Sequence, residues 1–304
     1  MDPRTQREPL FNAEACRAAE RHGSASHFRW LALSDDPEAV ALRAALERCF
    51  QLAGRSGGVL RKGLMHERWG QHAGALAHLL ALGMLARQGW AVEVEPDLGG
   101  QAPDILATRG GGATRGAARL LVEVRAISGA GNFPWEERRA NHRAADREPA
   151  RREALTDSVA AIIARKADVY RTLVARLRLP YVICVYEDKD DLITSLVLDI
   201  AFGRGAGGGR SDAAEGRDAD GGAFAHDPAH FGAVSALLVF GRVDTESGKL
   251  LLRGDLVVNP HAAQPLPPEA SLPELRATVV ERAGGGSRVR WSGPPRTFTL
   301  DGEA

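Results

Sequence analysis

The sequence predicts an α/β protein: a mixed sheet flanked by helices, preceded by a helical stretch and followed by a β-rich one. Three observations between residues 71 and 188 predict it. Three short alternating runs follow one another through short, Gly-containing connections, as in an antiparallel meander. A long segment of helical periodicity then separates the third run from a fourth. That is a crossover, which lays the fourth strand parallel to a neighbour. The fourth run, Tyr181-Val182-Ile183-Cys184-Val185-Tyr186, is apolar almost throughout, as expected of a strand covered on both faces. The core thus reads helix, strand, strand, strand, helix, strand.

Taken in order, residues 1–33 have weak periodicity and mixed charge and read as a loosely ordered lead-in. Ser34-Asp35-Asp36-Pro37-Glu38 is a helix start, with a capping side chain, a Pro in the first turn and acids at the positive end of the dipole. That helix runs to about residue 53, with Val40, Leu46, Cys49 and Phe50 on one side. Gly54-Arg55-Ser56-Gly57-Gly58 ends it. The next helix, 71–87, is apolar nearly all round, from Leu76, Leu79, Leu80 and Met84 on one face to Ala75, His78, Leu82 and Leu85 on the other. Such a helix is buried, packed against a sheet, and Gly89 caps it. Strands follow at 90–95, 104–108 and 120–126, and a helix at 153–177 is stopped by Pro180 before the fourth strand. Residues 192–202 read equally as helix or strand. The stretch 203–222 is low-complexity Gly, Ala, Arg and Asp, a flexible insertion. Residues 234–240 and 250–258 form a hairpin. Short strands at 278–281, 289–291 and 297–300 belong either to an extension of the sheet or to a small accessory unit. The partition is an N-terminal helical extension (1–70), the core (71–200), the Gly-rich insertion (201–232) and a C-terminal β-rich extension (233–304).

A formal net charge of zero removes any global attraction to nucleic acid, so such binding needs a local patch. The segment 128–153 carries Arg138, Arg139, Arg143, Arg147, Arg151 and Arg152 among acids. It reads either as a solvated face or as a phosphate-contacting lid, in which Trp135 packs or stacks on a base. Cys16, Cys49 and Cys184 are odd in number and widely spaced, which fits buried thiols in a reducing cytosol better than a disulfide framework. The polar N-terminus and the lack of a long apolar run predict a soluble, cytoplasmic protein with no membrane association.

Two motifs lack their context. Gly54-x-Ser56-x-Gly58 follows a helix, whereas a nucleophile elbow follows a strand. Gly203-x-Gly205-x-x-Gly208 leads into no helix, so it is not a dinucleotide fingerprint. His66, His72 and His78 lack the i, i+4 spacing of a helical zinc pair.

The chemistry lies in Ala102-Pro103-Asp104-Ile105-Leu106 and Leu121-Val122-Glu123-Val124-Arg125. Strand alternation puts Leu121, Glu123 and Arg125 on one face and Leu120, Val122 and Val124 on the other. Asp104 opens the adjacent antiparallel strand, so two carboxylates can converge. Hard oxygen ligands of this kind suit Mg²⁺ or Mn²⁺ held against a phosphate.

Pro103-Asp104 and Glu123-Val124-Arg125, set in this element order, resemble the PD-(D/E)XK nuclease superfamily, which includes restriction endonucleases. The resemblance covers residues 71–188, and its motif is short. It implies a restriction endonuclease-like αβββαβ core, DNA (or RNA) as partner, a homodimer as one assembly, and Mg²⁺ or Mn²⁺ held by Asp104, Glu123 and the Val124 carbonyl. Arg125 stands where the family usually has Lys. An arginine is effectively never deprotonated and cannot be a general base, though it can stabilise charge on a phosphate. In some members the lysine migrates to the following helix, a place Lys166 can fill; otherwise Lys166 is a surface residue on an amphipathic helix. Many members carry Glu on the first core helix, where this chain has His78, readable as a buried histidine, a third ligand or a proton carrier. The expected function is metal-dependent hydrolysis of phosphodiesters in DNA. The alternative is a nuclease-like fold that has lost catalysis and binds nucleic acid or protein.

Overall fold

The computed structural model describes residues 8–23, 26–110, 117–127, 149–188, 192–203, 222–243, 251–267, 275–281, 287–292 and 297–299. Among them, all nine strands join one sheet in the order β1-β2-β3-β4-β5-β6-β7-β8, with β9 pairing β6 beside β7. The strands are β1 (Ala91–Val94), β2 (Ile105–Arg109), β3 (Ala118–Ala126), β4 (Tyr181–Asp188), β5 (Ala236–Val243), β6 (Leu251–Val258), β7 (Leu275–Glu281), β8 (Ser287–Ser292) and β9 (Thr297–Thr299). β1, β2 and β3 form the expected antiparallel meander, and β4 is parallel to β3. β5 pairs parallel with β4 and antiparallel with β6.

Helices cover both faces. On one side α5 (Trp69–Arg87) lies between the sheet and the N-terminal helices α1 (Ala13–Arg21), α2 (His27–Leu33), α3 (Pro37–Gln51) and α4 (Gly57–Leu64). Being covered on both sides, α5 is buried along one continuous run from Ala75 to Leu85, as its all-round apolarity predicts. On the other side α6 (Pro149–Leu177), α7 (Leu192–Phe202), α8 (Ala223–His226) and α9 (Pro228–Phe231) build a second core with Leu121, Ile183, Val185 and Leu237. Tyr181 to Tyr186 alternate between the two cores, so β4 is buried on both faces.

Two expectations change and two open alternatives are settled. The described residues of the expected lead-in are not loose: α1 is capped by the Asn12 side chain and α2 by Ser26, and α2 packs between α1 and α3. Short helices with few large apolar residues leave little periodic signal, and tertiary burial supplies their stability. Val40 faces solvent, and the buried stripe of α3 is Leu42, Ala45, Leu46, Cys49 and Phe50. The stretch 192–202 is a helix, and the C-terminal strands continue the main sheet instead of forming a separate unit. The Asp36 cap and Pro37 at the start of α3 stand as read. Cys49 and Cys184 are buried and Cys16 half-buried; burial pushes the Cys49 thiol up to about 12. No helix among the described residues is long and apolar enough to cross a membrane. The Arg-rich segment around Trp135, up to Arg147, lies outside the described residues, as do residues 204–221 of the Gly-rich insertion.

A buried chain of polar groups ties the N-terminal helices to β5. The Leu64 carbonyl can only accept, so His72 donates to it from Nδ1 at 2.5 Å. His72 Nε2 then takes the proton of His27 Nδ1 at 2.7 Å, and Arg242 of β5 approaches His27 Nε2 at 3.5 Å and Glu38 at 3.3 Å.

Candidate active site

Asp104 is delivered by a loop that α6 straps down. The loop turns on Gly99 and Gly100, both at positive φ, where a side chain is strained. Arg176 donates to the Leu98 carbonyl, the Gln101 amide donates to the Val169 carbonyl at 2.7 Å, and the Tyr170 hydroxyl donates to the Ala102 carbonyl at 3.0 Å. β2 then begins with Ile105 opposite Val122, which sets Asp104 beside the middle of β3. Its Oδ2 accepts the Val124 N–H at 2.7 Å.

β3 carries the other carboxylate. Leu120, Val122 and Val124 join the α5 core, Leu121 joins the α6 core, and Glu123 shares the α6 face. The Glu123 side chain is 0 % exposed. Lys166 reaches it from α6, with Nζ 2.5 Å from Oε1, and Arg125 pairs with the same oxygen. Lys166 is therefore not a solvated surface residue; its ammonium lies over the Tyr170 ring, Nζ 5.6 Å from the centroid. Glu123 Oε2 is buried with no hydrogen-bond partner among the described residues.

Arg125 links the set. Its guanidinium pairs with Glu123, donates to the Val124 carbonyl at 2.9 Å and lies 3.6 Å from Asp104 Oδ2. Burial pushes both carboxyls above their ordinary range. The neighbouring Asp104 adds to the rise at Glu123, and Arg125 and Lys166 oppose it at both. Burial and the Glu123 charge also raise the Tyr170 hydroxyl.

No protein-family model matches this chain, and no curated protein and no solved structure matches it either. The site rests on its own geometry.

The structure thus brings Asp104, Glu123, Val124, Arg125 and Lys166 together. His78 lies beside them on α5, buried, with Nε2 lacking a hydrogen-bond partner among the described residues. Burial lowers its pKa, against the pull of Glu95 and Glu123, so the neutral ring is favoured. Among the described residues no group of three or more His, Cys, Asp and Glu is placed to hold a metal. Sequence reasoning missed Glu95. It follows β1 directly at a positive φ of 46°, donates its backbone N–H to the Asp104 carbonyl at 2.9 Å and accepts the Ser56 hydroxyl at 2.8 Å. Its charge reaches both His78 and Asp104. The β1–β2 register was the available signal, because a hairpin that pairs Val94 with Ile105 puts Glu95 opposite Asp104. Ser56 of the G-x-S-x-G stretch is a buried anchor for Glu95.

Proposed function

We propose that this chain hydrolyses phosphodiesters in DNA with a divalent metal held by Asp104, Glu123 and the Val124 carbonyl, on a restriction endonuclease-like core. The observation that carries the reading is that these three oxygens, from two adjacent strands, are gathered around one cationic group while a lysine from the following helix touches Glu123. The helix, three-strand meander, helix and parallel strand that frame them support the same reading. The donor set fits Mg²⁺ or Mn²⁺: all hard oxygens, two of them carboxylate, with Glu123 Oε2 still to be satisfied.

A bound metal supplies an activated water and neutralises charge on the phosphate. The chain's own groups do the rest. Asp104 is held by the Val124 N–H, which fixes the carboxylate's direction. Lys166 opposes the effect of burial on the Glu123 carboxyl and presents an ammonium to the phosphate oxygens. Arg125 can stabilise developing charge but cannot take a proton.

A second reading, a lapsed nuclease fold that binds nucleic acid or protein, is favoured by one observation: Arg125 pairs with one oxygen of each carboxylate. Cleavage of plasmid and single-stranded DNA with Mg²⁺ or Mn²⁺ against EDTA, for wild type, Asp104→Ala and Glu123→Ala, separates the two. Metal-dependent nicking is expected in wild type and a loss of about a hundredfold or more in each variant. No cleavage by folded wild type under any of these conditions overturns the nuclease reading and leaves the binding module.

A further inference from the structure

We infer that Arg125 is a tethered cation seated where the divalent metal has to sit, so that metal binds only when the guanidinium swings out. The inference rests on the proposed identity of the metal ligands, not on cleavage.

The contacts carry it. The Arg125 guanidinium meets Glu123 Oε1, the Val124 carbonyl and Asp104 Oδ2, which are the three groups assigned to the metal. A planar fork with several donors can serve three acceptors at once, which an ammonium cannot do with the same geometry. Charge points the same way. Asp104, Glu123, Arg125 and Lys166 form a neutral set. A divalent ion added to that set would bring two further positive charges against a guanidinium in a mostly buried site, where repulsion is weakly screened. One cation has to give way, and Arg125 is more exposed than Lys166. Its side chain is 33 % exposed, twice the 16 % of Lys166, and it stands on β3 two residues beyond the buried Glu123. Once swung out, the guanidinium stands at the mouth of the site, where a phosphodiester offsets part of the added positive charge. The metal and the phosphate then replace the guanidinium and the carboxylates as each other's partners.

Mn²⁺ binding, followed by calorimetry or by the loss of the free-ion electron paramagnetic signal, tests this without any turnover. Arg125→Met keeps the stem and removes the fork. It should bind Mn²⁺ about tenfold more tightly than wild type or better, because the competent state no longer has to be opened first. The gain should vanish in the Arg125→Met/Glu123→Gln double variant. Equal or weaker binding by Arg125→Met, or no Mn²⁺ binding by either protein, overturns the inference. If the Met variant does not fold, Arg125→Lys gives the same comparison with the charge kept and the fork lost, and an affinity equal to wild type there is the overturning result. A gain in affinity without DNA cleavage keeps the inference and removes the nuclease reading. Cleavage by wild type with no gain in the variant does the reverse.

Discussion

Glu123 is fully buried, and a carboxylate in that position is tolerated only because two cations share one of its oxygens. Removing one partner leaves part of a buried charge uncompensated. Lys166→Met should therefore destabilise the fold by about 2–4 kcal/mol, at the low end if Arg125 takes up the whole oxygen. Urea denaturation checks it, and an unchanged midpoint would mean that the ammonium contributes nothing. In the Glu123→Gln background the same substitution should cost far less, since no charge is left to neutralise. The residues of this site were largely legible in the sequence: alternation on β3 placed Glu123 and Arg125 on one face, and the turn before β2 placed Asp104 next to them. The contacts of Arg125 were not legible. Spacing puts a side chain on a face but does not say which acceptors a long flexible arginine will choose.

At the scale of elements, α6 does two jobs. It covers one face of the sheet through Val159, Ile163, Ala167, Tyr170 and Leu173, and it holds the loop that carries Asp104. The apolar half of this was visible as helical periodicity. The strapping was not, because Gln101, Tyr170 and Arg176 act across sequence separations that no local pattern records. The helix ends on Arg178 at a φ of 53°, its N–H donating to the Val174 carbonyl at 2.8 Å. This is the position where glycine usually terminates a helix. Arg178→Gly should raise stability by about 0.5–1 kcal/mol by relieving the left-handed strain, read as a higher Tm in calorimetry. A lower Tm would show that the exposed arginine contributes more than its backbone costs.

For the whole molecule, the segment 71–200 had the look of a self-contained core, and the structure makes it part of a larger sheet. β5 sits between β4 and β6 and pairs with both, and Arg242 at its far end meets Glu38 and His27 from the N-terminal layer. Cutting the chain after residue 200 would bare the edge of β4, a strand apolar on both faces, and cutting it before residue 71 would strip α5 of the helices that cover it. The isolated 71–200 fragment should show no cooperative thermal transition by circular dichroism, whereas the full chain should show one. A fragment that melts cooperatively would restore the smaller unit as a domain.

The sequence by itself determined the element order, the antiparallel meander, the crossover to β4 and the neighbourhood of Asp104 and Glu123. Each is written in periodicity, turn residues or connection length, which are local properties of the chain. Only the tertiary structure decided that β5 continues the sheet, that α1 and α2 are packed helices, that Lys166 reaches Glu123 and that Arg125 lies across all three oxygens. These depend on which buried charges end up facing one another, and that is fixed by packing between segments far apart in the chain.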